Sequence, residues 1–271
     1  MDPIRQALER ARTGSSTLQG NSSDLFAPLP SSAGPQPEAF RDIKLNAAHL
    51  ASSRIVAYSP VHEGGRYFDV LRTQVLQSMD DNGWQILAVT SPTAGCGKSV
   101  TACNLAMSIA RLPERSVLLV DLDLQKPKVA EYLGVNAKSG ILSVLEGRAG
   151  LLDVIVQASI GQNKMLVLPG ESCKSGSAEW MASQAMTMTL QALKRDFRSH
   201  VIILDMPPVL AGDDLISVLP QIESILLITG IGTSTLPDIK ECYKHLKSTP
   251  IVRVVVNKVS EKIESNYGYG Y

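Results

Sequence analysis

The chain has no excess charge of either sign: Lys and Arg total 26, Asp and Glu total 26, and the formal net charge over 271 residues is zero. Its basic residues are scattered, so the electrostatic footprint that a nucleic-acid backbone requires is missing, and DNA and RNA are not expected partners. Long hydrophobic runs are missing as well. The longest, such as Ile225-Leu226-Leu227-Ile228 and Val254-Val255-Val256, are strand-sized and far short of the roughly 20 residues of a membrane-spanning helix. The opening MDPIRQALERAR lacks the apolar core of a signal peptide. Cysteine is sparse, and Cys96, Cys103, Cys173 and Cys242 show neither C-x-x-C spacing nor a disulfide framework. These absences make the cytoplasm the expected address. What remains is a chain 44% hydrophobic, large enough for one α/β unit with extensions.

The stretch ILAVTSPTAGCGKSVTACNL, residues 86–105, reads as an apolar strand, a Gly-rich turn and a helix. That is a phosphate-binding loop. Gly95 and Gly97 let successive backbone N–H groups point inward, the helix adds its positive end, and Lys98 brings a full charge. The Ser99 hydroxyl is placed to hold Mg²⁺. The strict G-x-x-x-x-G-K-[ST] pattern is not met, because Pro92 stands at its first Gly, so the loop is a variant. Cys96 lies inside the loop beside Lys98, a position that favours a thiolate and raises a redox role against plain packing.

Two further apolar strands end in carboxylates: 116–120 runs into Asp121-Leu122-Asp123, and 201–204 into Asp205. Ligands of an open parallel sheet bind at the carboxyl ends of its strands, and an apolar run ending in Asp is the usual Mg²⁺-holding companion of a phosphate loop. Strands at 164–168, 224–229 and 251–256 alternate with helices at 66–79, 178–197 and 236–246. The expected fold is therefore α/β, a doubly wound, mostly parallel sheet. Asn257 closes the last strand as either a nucleotide-base contact or a turn former. Arg66, Asp69 and Arg72 fall three apart and read as a solvated ladder.

Three regions are expected. Residues 1–52 form a flexible N-terminal extension, in which 3–12 is a short amphipathic helix, frayed or partner-docking, and 13–37 a Ser, Gly and Pro-rich linker. Residues 53–259 form the folded domain, and 260–271 a tail. The tail ends in SNYGYGY, with Tyr267, Tyr269 and Tyr271 separated by glycines, the pattern of a phosphate-acceptor cluster or of a bland sticky tail.

Taken together, TSPTAGCGKS, LLVDLDLQKP (118–127), VIILDMPPVL (201–210), the LRTQ of 71–74 and the terminal tyrosines resemble the bacterial tyrosine autokinases of capsule and exopolysaccharide loci. The resemblance implies a P-loop NTPase fold of the partition and division-site ATPase superfamily with ATP and Mg²⁺ as cofactors. Gly95, Cys96, Gly97, Lys98, Ser99, Val100 and Asn257 would bind the nucleotide, and Ser99, Asp123 and Asp205 the metal. Lys98, Asp121 and Asp123 would act in catalysis, with Asp121 beside the incoming tyrosine hydroxyl. Tyr267, Tyr269 and Tyr271 would accept phosphate from another copy of the chain. It further implies an inner-membrane polysaccharide chain-length protein as activator, recruiting the chain to the membrane, and a role in regulating polysaccharide synthesis or export. Gln125 stands where that family has Arg, which keeps open a nucleotide-switched binding module without kinase activity. Arg66 and Asp69 reverse the charges of its assembly helix. Thr93 stands where the partition ATPases carry an additional lysine, which argues against them.

Overall fold

The computed structural model of the chain describes residues 40–259. The expected 3–12 helix, the 13–37 linker and Tyr267, Tyr269 and Tyr271 lie outside the described residues. In chain order the elements are β1 (Arg41–Lys44), α1 (Ala47–Ser52), α2 (Gly65–Asn82), β2 (Ile86–Thr90), α3 (Lys98–Ala110), β3 (Ser116–Asp121), α4 (Val129–Leu133), α5 (Ile141–Leu145) and α6 (Leu151–Val154). There follow β4 (Val156–Ile160), β5 (Asn163–Leu168), α7 (Ser177–Met181), α8 (Gln184–Asp196), β6 (His200–Asp205), α9 (Asp214–Val218), β7 (Ser224–Gly230), α10 (Leu236–His245) and β8 (Ile251–Asn257).

The strands form one sheet in the order β1-β4-β5-β3-β6-β2-β7-β8. Every pairing is parallel except β4 with β5. Those two are joined by a tight turn in which Gly161 takes φ 59°, the left-handed backbone that short hairpins need. The central strands are apolar without interruption because helices cover both faces. Ile86 and Ala88 of β2 face one core with Leu190, Leu193 and Phe197 from α8 and its end. Leu87 and Val89 face a second, with Val75 and Met79 of α2 and Leu105 and Ile109 of α3. The mostly parallel, doubly wound sheet expected from the alternating pattern is the fold observed.

The boundary expected at residue 53 is too late. Phe40 is buried and stacks at 6.2 Å on Phe197, β1 pairs with β4, and Leu50 is fully buried. Asn46 caps α1 by accepting from the Ala48 and His49 N–H groups. A four-residue strand and a six-residue helix are too short for a periodic pattern to show. The helix expected over 178–197 is two helices, broken where Ser183 turns extended (φ −73°, ψ 156°) and its hydroxyl accepts the Met186 N–H.

Asp69 is not part of a solvated ladder. Its Oδ1 accepts from Arg111 Nη1 at 2.8 Å, Ser108 Oγ at 2.6 Å and Arg72 Nη1 at 3.3 Å, tying α2 to α3, the helix that follows the phosphate loop. Partial burial pushes its carboxyl up, but the Ser108, Arg111 and Arg72 donors outweigh this and hold it below the ordinary value. Because the folded value is the lower one, this clasp stabilises above the unfolded carboxylate range and is lost as pH falls below it. Asp69→Ala is expected to cost about 1–2 kcal/mol at neutral pH, with the difference shrinking towards pH 3, as read from denaturant midpoints. A variant as stable as the parent at pH 7 would return Asp69 to the surface-ladder reading.

Candidate functional site

β2 delivers the chain into the loop at Ser91, and α3 begins at Lys98. Gly95 and Gly97 stand at φ 82° and φ 93°, the left-handed region where a side chain is strained. Gly97 leaves the first turn of α3 without a side-chain cap, so the helix presents N–H groups that an anion can satisfy. The loop is braced from within by Ser91 Oγ donating to the Thr93 carbonyl at 2.8 Å and Thr101 Oγ1 donating to that of Gly97 at 2.9 Å.

Pairing of β3 with β6 sets Asp121 directly opposite Asp205, which is itself opposite Val89 at the end of β2. Three strand ends thus bring two fully buried carboxylates under the loop. Lys98 Nζ lies 2.7 Å from Asp123 Oδ2, 3.8 Å from Asp205 Oδ1 and 3.4 Å from Ser99 Oγ. Burial works against its charge, but Asp205, Asp123 and Asp121 more than restore it, so the ammonium persists. Burial, then the Asp205 charge, pushes Asp121 up to about 8 despite backbone donors and Lys98. Burial pushes Asp205 up to about 6, opposed by Lys98 and the nearby Ser99 hydroxyl.

Neither Asp205 oxygen has a hydrogen-bond partner. A buried carboxylate in that condition is costly unless a cation completes it. Asp205, the Ser99 hydroxyl and Asp123 form an all-oxygen donor set of the kind that suits Mg²⁺. Among the described residues no three His, Cys, Asp or Glu are arranged to hold an ion alone. That fits a metal whose shell is filled largely by water and phosphate oxygens.

An open cleft of about 220 Å³ lies against this cluster, lined by Gly95, Gly97, Lys98, Ser99, Val100 and Asp123 from the expected set. Asp121 and Asp205 sit behind it. The Asp121 oxygens accept the N–H groups of Asp123 (3.2 Å), Lys128 (2.9 Å) and Val129 (3.0 Å), folding residues 123–129 around the carboxylate. Cys96 is fully buried, with Sγ donating to the Thr93 carbonyl at 3.2 Å and lying 3.1 Å from Ser234 Oγ. Its thiol therefore points away from the phosphate seat, and the redox expectation loses its basis. Asn257 Nδ2 donates to the Cys96 carbonyl at 2.9 Å.

Lys126, Lys128 and Tyr132 line the same cleft and are not among the expected site residues. Their signal was position, since all three lie within ten residues of Asp123, just past a strand end. Gln125 also lines it, and its Nε2 donates to Asp214 Oδ2 at 3.1 Å and Ser177 Oγ at 3.2 Å, tying the 122–128 loop to α9 and α7.

The family model for the CobQ/CobB/MinD/ParA nucleotide binding domain matches residues 87–267. The chain is similar to EpsB of Ralstonia nicotianae, 31% identical over 201 residues that make up 74% of this chain and 26% of EpsB. It thus spans about a quarter of that relative's length. It is 25% identical over 207 residues to the tyrosine-protein kinase CpsD of Streptococcus agalactiae, covering 75% of this chain and 87% of CpsD. Among solved structures, the kinase domain of the Escherichia coli tyrosine kinase ETK superposes with a TM-score of 0.65 at 25% identity, covering 75% of this chain and 79% of that one.

Proposed function

This chain belongs to the CobQ/CobB/MinD/ParA nucleotide-binding domain family, and from that premise we propose that it is an ATP-dependent protein-tyrosine kinase of the capsule and exopolysaccharide type. The observation that carries the reading is the Lys98–Asp123–Asp205 cluster beneath an uncapped helix start, together with similarity to chains named as tyrosine kinases. Bound Mg²⁺·ATP would supply the transferable phosphoryl group and the divalent charge that neutralises it. Lys98 and the loop N–H groups hold phosphate oxygens, while Ser99, Asp123 and Asp205 are the donors for the metal. Lys126 adds positive charge along the cleft, where an anionic transition state benefits from it, while the Lys128 ammonium is paired with Glu131. Asp121, with both oxygens engaged by backbone N–H groups, meets an incoming phenol only if residues 123–129 move. With those bonds in place its task is to hold that loop.

The acceptors proposed are Tyr267, Tyr269 and Tyr271 of another copy, with an inner-membrane polysaccharide chain-length protein as activator. Among the described residues no helix is long and apolar enough to cross a membrane. Incubation of the full chain with Mg²⁺ and ATP, followed by phosphopeptide mass spectrometry, is expected to place phosphate on those tyrosines. A second reading, nucleotide-switched association without phosphoryl transfer, is favoured by Gln125 in place of Arg. ATP-dependent assembly with an unmodified tail would select it.

A further inference from the structure

We infer that Asn257 is a positioning residue for the phosphate loop: from the end of edge strand β8 it pins the Cys96 carbonyl outward and thereby turns the Gly97 N–H toward the phosphate seat. The inference rests on the nucleotide-binding reading and extends it to a residue that the sequence offered only as a base contact or turn former. Cys96 C=O and Gly97 N–H belong to one planar trans peptide and point in opposite directions, so fixing one aims the other. The carbonyl is held by Asn257 Nδ2 at 2.9 Å. The other end of the same amide is also engaged, since Asn257 Oδ1 accepts the Lys258 N–H at 2.8 Å. Lys258, which gives that second N–H, itself stands in left-handed backbone at φ 61°, uncommon for a residue with a side chain.

The approach is close. A Cβ on Gly97 would stand 2.2 Å from Asn257 Nδ2, so glycine is required there by its neighbour as well as by its φ of 93°. The surrounding turn after β7 presses on the same outer side of the loop. Thr93 Oγ1 donates to the Thr233 carbonyl at 3.3 Å, and Lys258 Nζ donates to Thr233 Oγ1 at 3.1 Å. Asn257 pairs with Gly230 in the β7·β8 register, and its own carbonyl accepts the Ile231 N–H at 3.0 Å. The amide is therefore delivered by the sheet, and the loop is set by a strand distant from it in sequence.

The test separates a loop latch from a base contact by using a ligand that has no base. The full chain and its Asn257→Leu variant, which keeps the side-chain volume and removes the donor, are titrated with Mg²⁺·ATP. Both are then titrated with Mg²⁺·tripolyphosphate by competition against a fluorescent ADP. The expected result is a weakening of about tenfold for both ligands by the same factor, the size of one lost hydrogen bond to a carbonyl left without its partner. Loss for ATP with tripolyphosphate unchanged would make Asn257 a base contact and overturn the latch. Unchanged affinity for both would overturn it too, as would a lowered melting temperature without nucleotide as the sole effect. Asn257→Ser, too short to reach the carbonyl, carries the same comparison if leucine prevents folding. A parent chain that binds neither ligand would instead overturn the nucleotide-binding reading itself.

Discussion

Lys98→Met is expected to lower phosphoryl transfer by about 10³-fold, the order found when a preorganised charge is removed from a transition state. Methionine matches the lysine stem in length and flexibility, so the change is mainly one of charge. In this site the ammonium has two tasks. It is the mobile cation for phosphate oxygens, and before nucleotide arrives it is the only side-chain cation within 4 Å of Asp123 and Asp205 among the described residues. Removing it leaves buried carboxylates uncompensated, a condition that costs several kcal/mol unless they take up protons. The variant is therefore also expected to melt earlier than the parent without nucleotide, and by more at pH 8 than at pH 6, where protons can take over the cation's role. Phosphotyrosine yield and melting curves at the two pH values check both parts. Wild-type phosphorylation by the variant would remove Lys98, and the cluster with it, from the mechanism.

Asp205→Asn is expected to separate function from stability in opposite directions. It takes a charge from the proposed metal set, so Mg²⁺-dependent transfer should fall by about 10²–10³-fold. It also removes a buried carboxylate without a hydrogen-bond partner and the like charge facing Asp121. The sign of the pH effect follows from the raised values. In the folded chain Asp121 titrates at about 8 and Asp205 at about 6, against an ordinary 3.8. Between those limits the native state binds more protons than the unfolded one, so without metal the parent loses stability as pH rises from about 4 to 8. The variant has one titrating group fewer and a less strained Asp121, so its profile should be flatter. Its advantage over the parent, on the order of 1 kcal/mol, should be larger at pH 8 than at pH 5. Melting temperature against pH in a chelating buffer measures this. A variant less stable than the parent at pH 8, or one that transfers phosphate normally, would show that Asp205 is held by something other than the cluster described.

The resemblance and the apolar runs pointed to most of the residues that the fold gathers at the candidate site. Gly95, Gly97, Lys98, Ser99, Asp123 and Asp205 were legible because each sits at a strand end or helix start, where a local pattern of apolar residues followed by a Gly or an acid is itself the signal. Asp69 was misread because an i,i+3 spacing looks the same whether it faces solvent or a neighbouring helix. Nothing local to residue 69 announces that Ser108 and Arg111, one helix away, will meet it. Gln125 was visible as a departure from the family pattern, but its anchors, Asp214 and Ser177, lie far along the chain.

What the linear order of residues determined was the set of elements with their own periodicity, the left-handed turn that two glycines permit, and the kinds of side chain available for phosphate and metal. Those properties depend on neighbours within a few positions, so they survive being read one stretch at a time. The tertiary structure alone decided which groups face each other. The register of β3 against β6 sets Asp121 opposite Asp205, whose charge adds to burial in raising the Asp121 carboxyl. The return of β8 to the sheet edge brings Asn257 onto a carbonyl 161 positions earlier. Charge shifts and close contacts of this kind scale with distance in space, and a sheet whose strands are out of sequence order makes that distance independent of separation along the chain.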